Sequence, residues 1–410
     1  MRGLRAWGLG VAALVMSSAF AAPSPAEDPG PQISVVTFAP GEVYWQRFGH
    51  NALLVREAGT AQLYNYGIFD FQQKNFFLNF ARGRMQYRLD VAPLEWALRP
   101  YYAEGRWALE QRLALTPAQG RELAALLAWN AQPENAEYRY DYFLANCSTK
   151  VRDALDQVLG GALRAQLEAQ AGSGGSFRSE VLSLMAPVPA LHLGMDLALG
   201  ARVNAPLTAW QEAFIPMRLM VALRDVRIAD ADGAARPLVL GESSLAPQSV
   251  NETALPAPTS PWAAMLIAGL LLAVGIAGLR ALRGNAAARL ALRAASSLIA
   301  LSFGLAGLVL LLGWLVTEHW GMAANRNLLL LSPLWWALLP ALWRSARPDA
   351  PLPGPKTRGI ALLLLMLALA APLSAAFGPQ PNLHWIALLL PVQGVLLGAL
   401  LRPTPRRPSA

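Results

Sequence analysis

Cys147 is the only cysteine in the 410 residues, so no intrachain disulfide can engage its sulfur. It lies in Tyr140-Asp141-Tyr142-Phe143-Leu144-Ala145-Asn146-Cys147-Ser148-Thr149, immediately ahead of a segment with helical periodicity. In that segment, 148–159, Val151, Ala154, Leu155, Val158 and Leu159 fall on one face. A thiol at a helix start meets N–H groups with no intrahelical partner and the positive end of the helix dipole. Both favour the thiolate, which is the nucleophilic form. The same N–H groups can hold the oxyanion that forms when a thiolate attacks a carbonyl. A base is still needed. His50, in Phe48-Gly49-His50-Asn51-Ala52-Leu53-Leu54-Val55, enters a predicted strand. Asn65, in Tyr64-Asn65-Tyr66-Gly67 on the next strand, is the nearest polar residue to orient that imidazole. Asn146 and Tyr66, beside these residues in sequence, are candidate substrate contacts. Against this stands a plainer reading: free cysteine is among the most buried residue types and often only packs.

Other chemistries find no support. The remaining histidines, His192, His319 and His384, are far apart and show no metal-ligand spacing. His192, in an apolar run, reads as a packing or polar-anchor residue. There is no G-x-S-x-G elbow and no Gly-rich dinucleotide fingerprint. Ala-Gly-Ser-Gly-Gly-Ser at 171–176 lacks the following Lys-Ser/Thr of a phosphate loop and reads as a hinge. No cofactor and no metal are expected.

The elements that must position the thiol read as α+β. Residues 33–39, 51–55 and 62–69 are rich in strand formers, and helical periodicity appears at 93–103, 117–130 and 148–159. The N-terminus reads as a secretory signal over 1–22: Arg2 and Arg5, an apolar run from Leu9 to Met16, and Ala19-Phe20-Ala21 as the cleavage pattern. A lone thiol exported to an oxidising compartment is a liability, which favours a use for it. The soluble domain is expected at 23–244 and a Pro/Ser/Thr-rich linker at 245–260. A membrane domain is expected at 261–401 and a cytoplasmic tail at 402–410.

Within the membrane domain, apolar stretches at 261–279, 296–316, 328–343, 359–377 and 384–401 predict five transmembrane helices. Pro333 and Pro340 interrupt the third. The net charge of +8 does not indicate nucleic-acid binding once it is located. From Thr259 onward there are 12 Lys+Arg against 2 Asp+Glu, whereas 23–258 holds 20 against 24. The basic residues occupy alternate loops, which places the soluble domain outside and the C-terminus in the cytoplasm. The second outer loop carries Glu318, His319, Asn325, Arg326 and Asn327. It is read either as a polar loop at headgroup level or as a substrate contact through His319, Asn325 and Asn327.

The blocks FGHNALLV, YNYGIFDF, NFFLNFARGRMQYRL and YDYFLANCSTKVRDAL, with the later WQEAFIPMRLM and EHWGMAANRNLLLLSPL, resemble the Lnb family of bacterial lipoprotein N-acyltransferases. The order of His before Asn-Cys at a helix start is similar to the permuted papain-like fold of lecithin:retinol acyltransferase and its cell-wall peptidase relatives. The resemblance implies a cysteine acyltransferase of the bacterial inner membrane, with its domain in the periplasm. It maps the family's cysteine onto Cys147 and its histidine onto His50. The expected substrates are a membrane phospholipid as acyl donor and a lipoprotein as acceptor, at the surface of a lipid bilayer. A hydrolase on the same scaffold, cutting cell-wall amides or phospholipids, and a non-enzymatic membrane partner protein remain the alternatives.

Overall fold

The computed structural model describes residues 29–229, 233–251 and 260–402. The expected signal peptide, half of the linker and nearly all of the tail lie outside the described residues.

One antiparallel sheet organises the soluble half. Its strands are β1 (Gln32–Phe38), β2 (His50–Glu57), β3 (Thr60–Ile68), β4 (Gln86–Pro93), β5 (Ala108–Leu113), β6 (Glu137–Arg139) and β9 (Val239–Ser244). They are ordered β6-β4-β3-β2-β1-β5-β9, while β7 (Arg227–Ala229) and β8 (Ala235–Pro237) form a separate ribbon. The middle strands are buried on both faces, which explains their near-continuous apolar runs. Ile33, Val35, Leu53 and Val55 face one core, and Val36, Phe38, Ala52, Leu54 and Leu63 face another. Between β2 and β3 the chain turns at Ala58 and Gly59, both with positive φ, a two-residue hairpin that matches strand twist.

The helices of this half are α1 (Phe76–Arg82), α2 (Leu94–Ala103), α3 (Pro117–Asn130), α4 (Cys147–Val158), α5 (Ala162–Ala169), α6 (Phe177–Met185), α7 (Pro189–Ala198), α8 (Ala209–Glu212) and α9 (Pro216–Asp225). Helix α4 packs across β2 and β3. Its buried Val151, Leu155 and Val158 are each worth roughly 1.5–3 kcal/mol of apolar burial. A thiol-bearing helix laid on an antiparallel sheet whose strand carries the histidine is the papain-like arrangement. The expected hinge at 171–176 is instead pinned. Gly172 N–H donates to Leu207 O, and Ser173 donates through both its N–H and its hydroxyl to Glu212.

The membrane half holds α10 (Trp262–Ala281), α11 (Ala286–Leu315), α12 (Trp335–Ser345), α13 (Pro355–Phe377) and α14 (Leu383–Leu401). Four of these, all but α12, are long and apolar enough to cross a membrane. The expected third span therefore differs from the other four. At about 1.5 Å per residue, an 11-residue helix covers roughly half of a hydrocarbon core. Ahead of it, 326–334 runs as a short 3-10 turn and irregular backbone. Such backbone needs hydrogen-bond partners within the protein at membrane depth. Buried Gln393 on α14 supplies one, donating to Leu330 O at 2.6 Å. The crossing ends beside the basic first loop, where Arg293 Nε donates to Trp343 O.

Candidate active site

The site forms where the start of β2, the end of β3 and the start of α4 meet. Asn146 is the N-cap of α4 and makes a reciprocal capping box with Thr149. Its amide nitrogen donates to Tyr142 O and Phe214 O. Asn146, expected as a substrate contact, is thus buried and engaged in fixing the helix start. The segment at 210–214 clamps the helix further: Ser148 Oγ donates to Ala213 O at 2.6 Å and Arg152 Nη1 to Trp210 O at 2.6 Å. The Arg152 guanidinium also lies over the Trp210 ring.

Around the sulfur, the backbone N–H groups of Asn51, Ser148 and Cys147 itself are aimed at the thiol. Gly67, at φ +91°, brings β3 so close that a Cβ there would sit 3.4 Å from Cys147 Cβ. His50 is the residue before Asn51, and its Nε2 lies 3.2 Å from Asn65 Oδ1. The Asn65 amide is oriented by its Nδ2, which donates to Leu63 O. An amide oxygen only accepts, so Nε2 carries the proton and donates. Nδ1 is left with a lone pair and, among the described residues, no hydrogen-bond partner. The other face of the ring rests on Phe38, opposite it on β1, and Phe38 stacks on Tyr101 at 4.0 Å.

Burial, aided by the Arg106 charge, lowers His50 to about 4 against the opposing Asn65 bond. Burial also raises Cys147, outweighing the three N–H groups that favour its anion. The resting pair is therefore neutral thiol and neutral imidazole. The stable thiolate expected from the helix start alone is overridden, because desolvation penalises the charged form.

Tyr66 points into the core, 3% exposed and edge-to-face with Tyr138. It supports β3 from beneath rather than lining an open surface. His319, Asn325 and Asn327 lie in the seam between the two halves. His319 Nε2 contacts Phe80 O at 2.9 Å. Asn325 Nδ2 donates to Leu197 O and Ala198 O, and its Oδ1 accepts from Asn327 N–H and Gln380 Nε2. Asn327 Oδ1 accepts from Asn382 Nδ2. These amides join the outer loop to α7, a different role from the headgroup contact expected. Their partners lie some 55 to 130 residues away in the chain, beyond the reach of local pattern reading.

Two residues that the sequence reading missed tie the seam to the site. Asp141 Oδ1 accepts from the N–H groups of Phe143 and Leu144, which shapes the turn leading to Cys147. Its Oδ2 accepts from Trp320 Nε1 in the outer loop at 2.9 Å. The seam has its own charged centre. Asp196 on α7 meets Arg178, His384 and Trp385 Nε1. Burial alone would raise this carboxyl; the bonds from His384 and Arg178 hold it below its ordinary value instead. Among the described residues, no group of three or more His, Cys, Asp or Glu is placed to hold a metal ion.

Residues 29–178 match the family model described as the Lnb N-terminal periplasmic domain. Residues 250–395 match the one described as the Lnb transmembrane domain. No curated protein and no solved structure matches the chain. The two models cover well over half of the sequence, one for each half of the architecture. A thiol at a helix start in the outer domain and a multi-pass anchor both agree with them. The chain belongs to the Lnb family of lipoprotein N-acyltransferases: cysteine-dependent enzymes of the inner membrane whose catalytic domain lies in the periplasm and whose substrates are membrane lipid and lipoprotein.

Proposed function

We propose that Cys147 is the nucleophile, His50 the base and Asn65 the residue that orients it. The acyl donor is a membrane phospholipid and the acceptor is the α-amine of a diacylglyceryl-cysteine lipoprotein. The observation that carries this reading is the 3.2 Å contact between His50 Nε2 and Asn65 Oδ1. That oxygen can only accept, so Nε2–H donates to it and Nδ1 is left as the base, one residue from the Asn51 N–H aimed at the sulfur.

His50 Nδ1 accepts the thiol proton as Cys147 Sγ attacks the ester carbonyl. The C–O bond breaks, and the imidazolium returns the proton to the departing lysophospholipid oxygen. The thioester on Cys147 is then attacked by the lipoprotein amine. His50 accepts the amine proton, the C–S bond breaks, and the sulfur leaves as a thiolate that His50 reprotonates. The product carries its third chain as an amide. The N–H groups around the sulfur are positioned to stabilise both tetrahedral oxyanions. Starting from a neutral pair, each charge forms only during the reaction, in surroundings already shaped for it. Asn146, Tyr66 and Asp141 act through the positions of α4, β3 and the intervening turn. His319, Asn325 and Asn327 act by holding the outer loop.

The test is mass spectrometry of a lipoprotein N-terminus in cells depleted of their usual N-acyltransferase. N-acylation that depends on this protein and disappears with Cys147→Ala is expected. Release of free fatty acid with no N-acylated product would sink transfer in favour of hydrolysis.

A further inference from the structure

We infer that α1 is an interfacial helix seated in the outer leaflet of the bilayer, and that the aromatic wall behind it guides an acyl chain to Cys147. The second clause rests on the thiol mechanism above; the first does not.

Helix α1 presents an apolar face that none of the described residues covers. Phe77 is 73% exposed, and Leu78 and Phe80 are exposed beside it. On a surface bathed only in water, a contiguous patch of this kind would be a liability. Its height is fixed by bonds to the outer loop. Glu318 N–H donates to Arg82 O at 2.9 Å, and His319 Nε2 meets Phe80 O. Gly83, at φ +73°, lies so near that a Cβ would approach His319 N to 2.9 Å. Arg84 and Arg139 both pair with Glu318. These loop residues follow α11 directly, and its last turn ends in the exposed Leu315 and Val316. The end of α1 is therefore tied to the segment that leaves the exposed end of a membrane span. Lys74 and Arg82 flank it without an ion pair among the described residues, as suits a helix lying among lipid headgroups.

Behind α1 the rings form an unbroken series toward the thiol. Phe77 meets Phe76 at 5.3 Å, Phe76 meets Phe69 at 6.1 Å, Phe69 meets Tyr87 at 5.0 Å and Tyr87 stacks on Tyr140 at 4.0 Å. Tyr140 enters the turn that leads to Cys147, which the paired backbone bonds between Asp141 and Ala145 fold back on itself. A chain leaving the leaflet beside Phe77 stays against apolar surface on its way to the site.

The test places single nitroxide labels in the full-length Cys147→Ala protein, reconstituted in phosphatidylethanolamine–phosphatidylglycerol vesicles. Labels at Phe77→Cys, at Leu271→Cys on α10 and at Glu134→Cys in the turn after α3 are compared by their collisions with oxygen and with a water-soluble nickel chelate. The Phe77 label is expected to resemble that at Leu271, rich in oxygen contact and shielded from nickel. A label as open to nickel as that at Glu134 overturns the proposal. In the Cys147-containing protein, Phe77→Asp with Leu78→Asp is expected to lower transfer from vesicle phospholipid by about tenfold or more, with Phe77→Leu preserving it. Wild-type transfer by the double aspartate variant overturns the guiding role. Full transfer by Cys147→Ala alone would remove the thiol mechanism while leaving the label measurement decisive for the membrane contact.

Discussion

Two polar clusters sit within this chain, and they are built on opposite plans. In the seam between the domains, hydrogen-bonding capacity is almost saturated. Arg178 donates to Asn204, Asp196, Leu199 and Gly200, and Asp196 receives His384 and Trp385 as well. At the thiol, the support is as thorough, but it leaves the candidate base open. Asn146, Asn65 and the 210–214 carbonyls are all engaged, while His50 Nδ1 has no hydrogen-bond partner among the described residues. Saturated polar networks fix geometry; an atom left available within one is where reactivity resides.

That contrast can be broken most forcefully at the thiol. Cys147→Ala should abolish acyl transfer while leaving the melting temperature of the full-length protein nearly unchanged. His50→Ala should lower the rate by about 10²–10⁴-fold, again without loss of fold. A His50→Ala protein at wild-type rate would show that the base lies elsewhere. At the seam the pattern should reverse. Asp196→Ala leaves Arg178 buried without its carboxylate, and breaking such a pair costs about 3–5 kcal/mol. The melting temperature should fall clearly, with inactivation following from it; an unmoved melting curve would mean the seam is not a structural centre.

The pH response sharpens the comparison. With Cys147 raised and His50 lowered to about 4, the pair stays neutral across the mildly acidic range. Alkylation of Cys147 by iodoacetamide should therefore climb only through the alkaline range. A fast plateau at pH 5–6 would mean a resting ion pair. His50 also enters stability with a definite sign. The unfolded chain, titrating near 6.5, takes up its proton first, so this contribution is lost as pH falls from about 6.5 through about 4. The smallest effect should come from Glu318→Gln. Its two arginine pairs are exposed, and thermal melts should not separate the variant from wild type.

Much of the framework around the candidate site was legible in the sequence, because its signals are local. The apolar run of β2 and the one-sided periodicity of α4 each follow from burial of that element, and the cysteine sits where α4 begins. The outer strands were not legible. β4, second from one edge, and β9, at the other, lack an apolar run and are strands because a neighbour pairs with them. The third crossing was legible as apolar and, through Pro333 and Pro340, as interrupted. That its first part is not α-helical was beyond hydropathy, which is blind to backbone geometry. For Asn325 and Asn327 the sequence leaves a polar loop and a substrate contact both open, because their partners are brought in only by the folded interface.

The seam also has a bearing on selectivity. By docking the outer domain against the bundle at Asp196, Asn325 and Trp320, it sets the thiol at one altitude above the bilayer. On the proposed mechanism, a lipoprotein anchored in the same leaflet by its diacylglyceryl group would present its amine at a matching altitude, whatever sequence follows. An enzyme arranged in this way would sort its clients by elevation.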